Sequence, residues 1–292
     1  MAISSIQHGA YTEAEGLLRE ALVIQRRHLA GDIEPQIQNT LDSLAEIQVR
    51  CNDLAGAEVL LREALAIDQE HFSQNHPSLA RDHARLSKLL IKRSKPSDAE
   101  TEIRKSLAIT RHLYGEEHSS VAFNLGELAV VLQARGNPAE AEELSRRALT
   151  LQRKLQGKEN LLVGRELVKR ASIQSAQGDL AGAIATRREA LAAIRNQTGK
   201  AHPFVVEPLM ELAADLSTHG EFIEAEGLLA EAWKIEKSFN YFRITSQRRL
   251  HENFAELYTA WAKADPAKAT RAAEWQKKCD DFNVEMAKRN GS

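Results

Sequence analysis

Between Ser120 and Leu132 the residues Val121, Leu125, Leu128, Ala129 and Leu132 recur at steps of 4, 3, 1 and 3. That is the period of a helix that buries one face. Gly136-Asn137-Pro138 comes next, where a glycine can take the left-handed conformation that ends a helix and a proline can open another. From Ala139 to about Leu155, Ala141, Leu144, Ala148, Leu149 and Leu151 share one side, and the small alanines let paired backbones approach closely. The pattern predicts two antiparallel helices joined by a tight turn.

This hairpin is repeated. Its alanine returns at Ala14, Ala57, Ala99, Ala141, Ala183 and Ala225, at steps of 43, 42, 42, 42 and 42, in segments such as Ala57-Glu58-Val-Leu-Leu-Arg-Glu-Ala64-Leu65. A period of this length marks a solenoid, because one such unit cannot bury its apolar face alone and must stack on its neighbours. The expected fold is all-α: an α-solenoid of about six helix pairs over residues 1–239, with capping helices over 240–292, where Leu250, Phe254, Leu257, Tyr258 and Trp261 keep a helical period without the alanine signature.

The turn glycine recurs as Gly9, Gly136, Gly178 and Gly220, with Asn52 and Ser94 in its place in the second and third units. Serine tolerates the left-handed region least, so the turn at Ser94-Lys95-Pro96 is expected to be the least regular. Two residues on, Tyr11, Leu54, Pro96, Pro138, Leu180 and Phe222 are expected to pin each turn to the core. The first unit has only Met1 to His8 where about 15 residues of first helix belong, which leaves its apolar face short of a partner and open to self-association. His76-Pro77, His118-Ser119, Asn160-Leu161 and His202-Pro203 mark the joints between units at the same step of 42 and read as inter-repeat packing.

Composition narrows the function. With 39 basic and 41 acidic side chains the net charge is −2, so the basic footprint of a nucleic-acid binder is missing. Cys51 and Cys279, far apart, suit a reducing compartment such as the cytoplasm. The longest stretch without Asp, Glu, Lys or Arg, Met1 to Thr12, is too short to span a bilayer and lacks the layout of a signal peptide.

On the turn glycine, the apolar residue two positions later, Ala-Glu-x-Leu-x-x-x-Ala-Leu and His-Pro between units, residues 1 to 237 resemble the tetratricopeptide repeat family in its 42-residue, kinesin-light-chain-like form. The stretches Leu250 to Trp261 and Ala272 to Lys278 look like the tetratricopeptide tails of bacterial serine/threonine protein kinases. The resemblance implies a right-handed superhelix whose first helices line a groove for a peptide or helix of another protein. The Asn pair with which kinesin light chains hold a peptide backbone is absent: the matching positions are Asp42-Ser43, Ala84-Arg85, Gly126-Glu127, Val168-Lys169 and Met210-Glu211.

Stepping by 42 along the first helices gives the candidate groove. Its columns are Asn39, Arg81, Phe123, Arg165 and Glu207; then Asp42, Ala84, Gly126, Val168 and Met210; then Glu46, Lys88, Val130, Ser172 and Ala214. The middle is basic at Arg81, Lys88 and Arg165, over an apolar floor at Phe123, Val130 and Val168. An acidic partner with an apolar anchor would suit it.

No phosphate loop, nucleophile elbow or His-Glu-x-x-His zinc motif occurs in the sequence, and no cofactor or metal is expected. His71, His76 and His83 straddle a joint at steps of five and seven without a tetrahedral set. Cys51 has no neighbour that would activate it, and Trp233, Trp261 and Trp275 suit packing in the core or cap. The leading expectation is a non-catalytic interaction scaffold; the alternative is a regulatory or docking tail of a bacterial kinase whose catalytic domain is absent from this chain. HEAT-like repeats have a similar period, but the small-residue and Ala-Leu signature argues against them.

Overall fold

The computed structural model describes residues 2–27, 34–238 and 244–290. They contain α-helices and short 3-10 turns and no strand. The chain divides into two compact units, one of residues 5–155 and one of residues 1–4 with 156–292.

The first unit holds α1 (Ala2–Arg27, its first three residues lying past the boundary), α2 (Glu34–Arg50), α3 (Leu54–His71), α4 (Pro77–Lys92), α5 (Pro96–Tyr114), α6 (Ser119–Ala134) and α7 (Pro138–Gln156, its last residue lying past the boundary). Here α2 packs on α3, α3 on α4, α4 on α5 and α5 on α6. The second holds α8 (Leu161–Ala176), α9 (Leu180–Thr198), α10 (Val206–His219), α11 (Phe222–Ser238), α12 (Ile244–Ala264) and α13 (Ala269–Asn290), with α8 on α9, α9 on α10, α10 on α11, α11 on α12 and α12 on α13. Consecutive helix pairs are therefore the building block of each unit.

The alanine signature is the contact between paired helices. Ala57, Ala99, Ala141, Ala183 and Ala225 are fully buried, as are Ala148, Ala190 and Ala232 one heptad later; with no side chain beyond Cβ they set how near the next backbone can come. Ser106 fills the same place in α5 and donates to the Ala80 carbonyl at 2.6 Å, so the buried hydroxyl is satisfied. The glutamates after Ala57 and Ala99 reach the end of the following first helix. Glu58 accepts from Arg62 at 2.9 Å and Lys95 at 3.3 Å and from Arg93, and Glu100 accepts from Arg104 at 2.9 Å and from Arg135.

Five turns share one geometry. Asp53, Lys95, Asn137, Asp179 and Glu221 donate their N–H to Gln48, Leu90, Leu132, Gln174 and Leu216 at 2.8–3.0 Å, the six-to-one bond that closes a helix. The residue before each donor has positive φ: 65° at Asn52, 56° at Ser94, 78° at Gly136, 84° at Gly178 and 92° at Gly220. The Ser94 turn is thus as regular as the others, contrary to expectation: the bond pattern imposes the conformation and Ser94 bears its steric cost.

The expected turn at Gly9 does not form. α1 runs through it as one helix of 26 residues. Extending an existing helix adds a bond for each residue fixed, so a single glycine does not end it. Residue 240, where the capping segment was expected to start, lies outside the described residues; from Ile244 on, Leu250, Phe254, Leu257 and Tyr258 share a core with Leu209, Leu216 and Leu229.

Candidate peptide-binding site

In the unit of residues 5–155 the candidate positions lie on α2, α4 and α6. Asn39, Glu46, Arg81 and Lys88 are exposed, while Asp42, Phe123 and Val130 are half-buried. The acids of α2 are engaged: Asp42 accepts from Arg85 of α4, and Glu46 from Arg50, whose Nε lies 3.2 Å away. Lys88 makes no ion pair among the described residues. Among the described residues Arg81 pairs only with its neighbour Asp82, at 3.5 Å.

Asp82 belongs to a polar layer under this surface. The Gln38 amide donates to Asp68 at 2.6 Å and to Asp82 at 3.0 Å, and both carboxyls are buried. Burial first, then the charge and hydrogen bonding of Asp68, push the Asp82 carboxyl up to about 7, with Arg81 opposing and Asp42 adding to the rise. One hairpin later the corresponding pair is Thr110 and Asn124, whose amide donates to the hydroxyl at 3.0 Å. His83 meets Glu102 at 2.5 Å; burial alone would raise that carboxyl, but hydrogen bonds from His83 and Lys105 hold it below the usual range.

In the unit of residues 156–292, Arg165 is exposed and makes no ion pair among the described residues. Val168 packs against the core, and Ser172 donates to the Val168 carbonyl at 3.1 Å. Glu207 is exposed but accepts from Arg249 at 2.6 Å. The strongest charge cluster was not anticipated: Arg187, buried, donates to Asp215 at 2.6 Å and to Glu211, and Ser175 donates to Asp215 at 2.9 Å. Burial raises the Glu211 carboxyl despite Arg187. Arg187 stands at a position occupied elsewhere by Leu18, Leu61, Ile103, Ser145 and Leu229, and a charge in that mostly apolar column was the available signal.

The joint residues are helix caps. His76, His118 and His202 accept through Nδ1 from the N–H two residues later, at 3.1–3.2 Å, and Asn160 does so through its side-chain oxygen at 2.8 Å, satisfying donors that a helix start leaves orphaned. An accepting Nδ1 puts the proton on Nε2. His76 stacks on Phe72 at 3.8 Å and His118 on Tyr114 at 4.2 Å. His71 instead bonds the Ile67 carbonyl at 2.7 Å. His71, His76 and His83 therefore have separate partners, and no set of three metal-ligating side chains converges among the described residues. Cys51 is exposed, and partial burial followed by the charges of Glu15 and Asp53 pushes its thiol up. Trp275 stacks on Phe254 at 4.2 Å with Trp233 edge-on at 6.0 Å, and Trp261 stacks on Phe222 at 5.6 Å.

Tetratricopeptide repeat models match residues 38–78 and 83–154, within the stretch from α2 to α7 that carries the candidate positions of the first unit. These two stretches are tetratricopeptide repeats. Such repeats serve generally as interaction scaffolds, and the fold is like that of kinesin-light-chain-like repeat proteins. The chain is similar in fold to BtubC (BKLC) from P. vanneervenii, at 23% identity and a TM-score of 0.59 over 80% of this chain and 93% of that one. A putative kinesin light chain from Podosopora anserina is 24% identical, with a TM-score of 0.56 over 72% of this repeat protein and 98% of that chain. A Rap protein complexed with competence and sporulation factor gives a TM-score of 0.65 at 13% identity, over 94% and 80%. No curated protein matches the sequence. Among the described residues no helix is long and apolar enough to cross a membrane.

Proposed function

We propose that this repeat protein is a non-catalytic scaffold that holds an acidic peptide or helix, with an apolar anchor, on its first helices. The positions that would contact it are Arg81 and Lys88 on α4 with Phe123 and Val130 on α6; Arg165, Val168 and Ser172 are the corresponding positions in the other unit. The reading takes residues 1–239 as the array and α12 with α13 as its cap.

One observation carries it. Arg81, Arg85 and Lys88 follow one another along α4, and of these three only Arg85 is neutralised by a full ionic partner, Asp42. Lys88 has none among the described residues, and the Asp82 carboxyl beside Arg81 is partly protonated near neutral pH. Cations that lack a full ionic partner, with a half-buried aromatic on the next first helix, suit a carboxylate and an apolar anchor.

The test uses a labelled Glu-rich helical peptide with one Phe, read by fluorescence anisotropy at two salt concentrations. The native chain should bind it, more weakly in high salt. R81E/K88E/R165E should bind at least about tenfold more weakly with unchanged far-UV circular dichroism. Equal binding by the triple variant would refute the proposed face.

A further inference from the structure

α1 exposes a strip that its counterparts bury. Its Ala14-Glu-Gly-Leu-Leu-Arg-Glu-Ala21-Leu22 segment is the counterpart of Ala57 to Leu65 and of the matching stretches in the later second helices, so positions can be compared directly. Leu17 is 61% exposed, whereas Leu60, Leu144 and Leu228 at the same place are half-buried and Glu102 is buried. Ile24 is 57% exposed, while Ile109, Ala193 and Ile235 are at most 7% exposed. The reason is visible in α3, where Leu60 and Ile67 pack against a core to which α2 contributes Ile37, Leu41 and Leu44. Beside α1 no helix takes that place among the described residues.

The strip carries its own complement. Leu17 and Ile24 are one heptad apart, and so are Glu20 and Arg27, both exposed. Arg19 is tied to Glu15 at 2.7 Å and Arg26 to Glu63, but Glu20 and Arg27 make no ion pair among the described residues. An acid nearer one end, a base at the other and an apolar seam beside them match a copy of themselves turned end for end. We propose that two copies of the chain associate through α1 in antiparallel fashion, with Leu17 of one copy packing near Ile24 of the other and Glu20 within reach of Arg27 on the opposite helix. A seam at heptad spacing is what paired helices bury. This self-association is separate from the proposed peptide-binding face and stands or falls without it.

Sedimentation velocity of the full chain over about 1 to 200 µM tests it. The native chain should pass from monomer to dimer as concentration rises. L17E/I24E should stay monomeric with the same helicity, because both side chains are more than half exposed and the fold does not need them. E20R should weaken the dimer by about tenfold, and E20R/R27E should recover most of that loss because the charges are merely exchanged. A native chain that stays monomeric throughout, a dimer that persists in L17E/I24E, or a double exchange that restores nothing would each overturn the proposal.

Discussion

Replacing Asp82 with asparagine should stabilise the protein at mildly alkaline pH and flatten its pH dependence. From the ordinary 3.8 to about 7 is roughly three pH units, and each is worth about 1.4 kcal/mol. The sign follows from which state holds the proton. Below about pH 4 Asp82 is protonated both folded and unfolded and costs nothing. Between about 4 and 7 the unfolded chain releases the proton first, so folding stability falls as pH rises. Above about 7 the cost is complete and constant, with a ceiling of about 4 kcal/mol. Because Asp68 and Asp82 share a site and the protein can relax around an ionised pair, about 2 kcal/mol is the expected effect. The amide introduced by D82N can accept from Gln38 and donate to Asp68, as Asn124 donates to Thr110 one hairpin later. The assay is urea unfolding followed by far-UV circular dichroism at about pH 5 and about pH 8. Both chains carry every other titrating group, so their difference isolates this pair. If D82N keeps the native pH slope, or is the less stable chain at about pH 8, the buried carboxyl pair is not the source.

Three further substitutions probe the framework. Ser94→Gly should raise stability by about 0.5 to 1 kcal/mol, because glycine takes a φ of 56° without the penalty a serine bears; no gain in the urea midpoint would contradict a strained turn. Glu100→Gln should cost about 1 to 2 kcal/mol at neutral pH by breaking the clamp to Arg135 and Arg104. Arg135 chiefly, and then Arg104, hold that carboxyl below the usual range against its burial, so the native advantage should be present above about pH 4.5 and vanish as pH falls through the lowered value. Gly164→Ala should destabilise by about 1 kcal/mol despite alanine's better helix propensity, since its Cβ would lie 2.7 Å from Ile194 Cγ1 and 3.2 Å from the Ala190 carbonyl; a higher melting temperature would count against close packing of α8 on α9.

The helix pairs were legible because one period reports two things at once. The alanines at steps of 42 mark the buried contact, and the turn residues at the same step mark where the chain reverses. Gly9 misled because a single glycine does not end a helix that can extend through it. The joint histidines were correctly taken as structural, but capping through Nδ1 depends on a local backbone bend that a spacing does not reveal. The pairs Asp42 with Arg85 and Arg187 with Asp215 join residues 43 and 28 apart, and only side-chain reach between adjacent helices decides them. For the same reason the proposed face appeared in the sequence as a column of residues, while the neutralisation of Asp42 by Arg85 and of Glu46 by Arg50 did not.

The central claim is that a partner lies on the first helices. Photo-crosslinking tests it most directly, with benzoylphenylalanine placed at Phe123 on α6 or, as a control, at Thr101, exposed on the second helix α5, and the acidic helical peptide as probe. Adducts at position 123, suppressed by excess unlabelled peptide and absent at 101, are the expected result; adducts at 101 with none at 123 would contradict it.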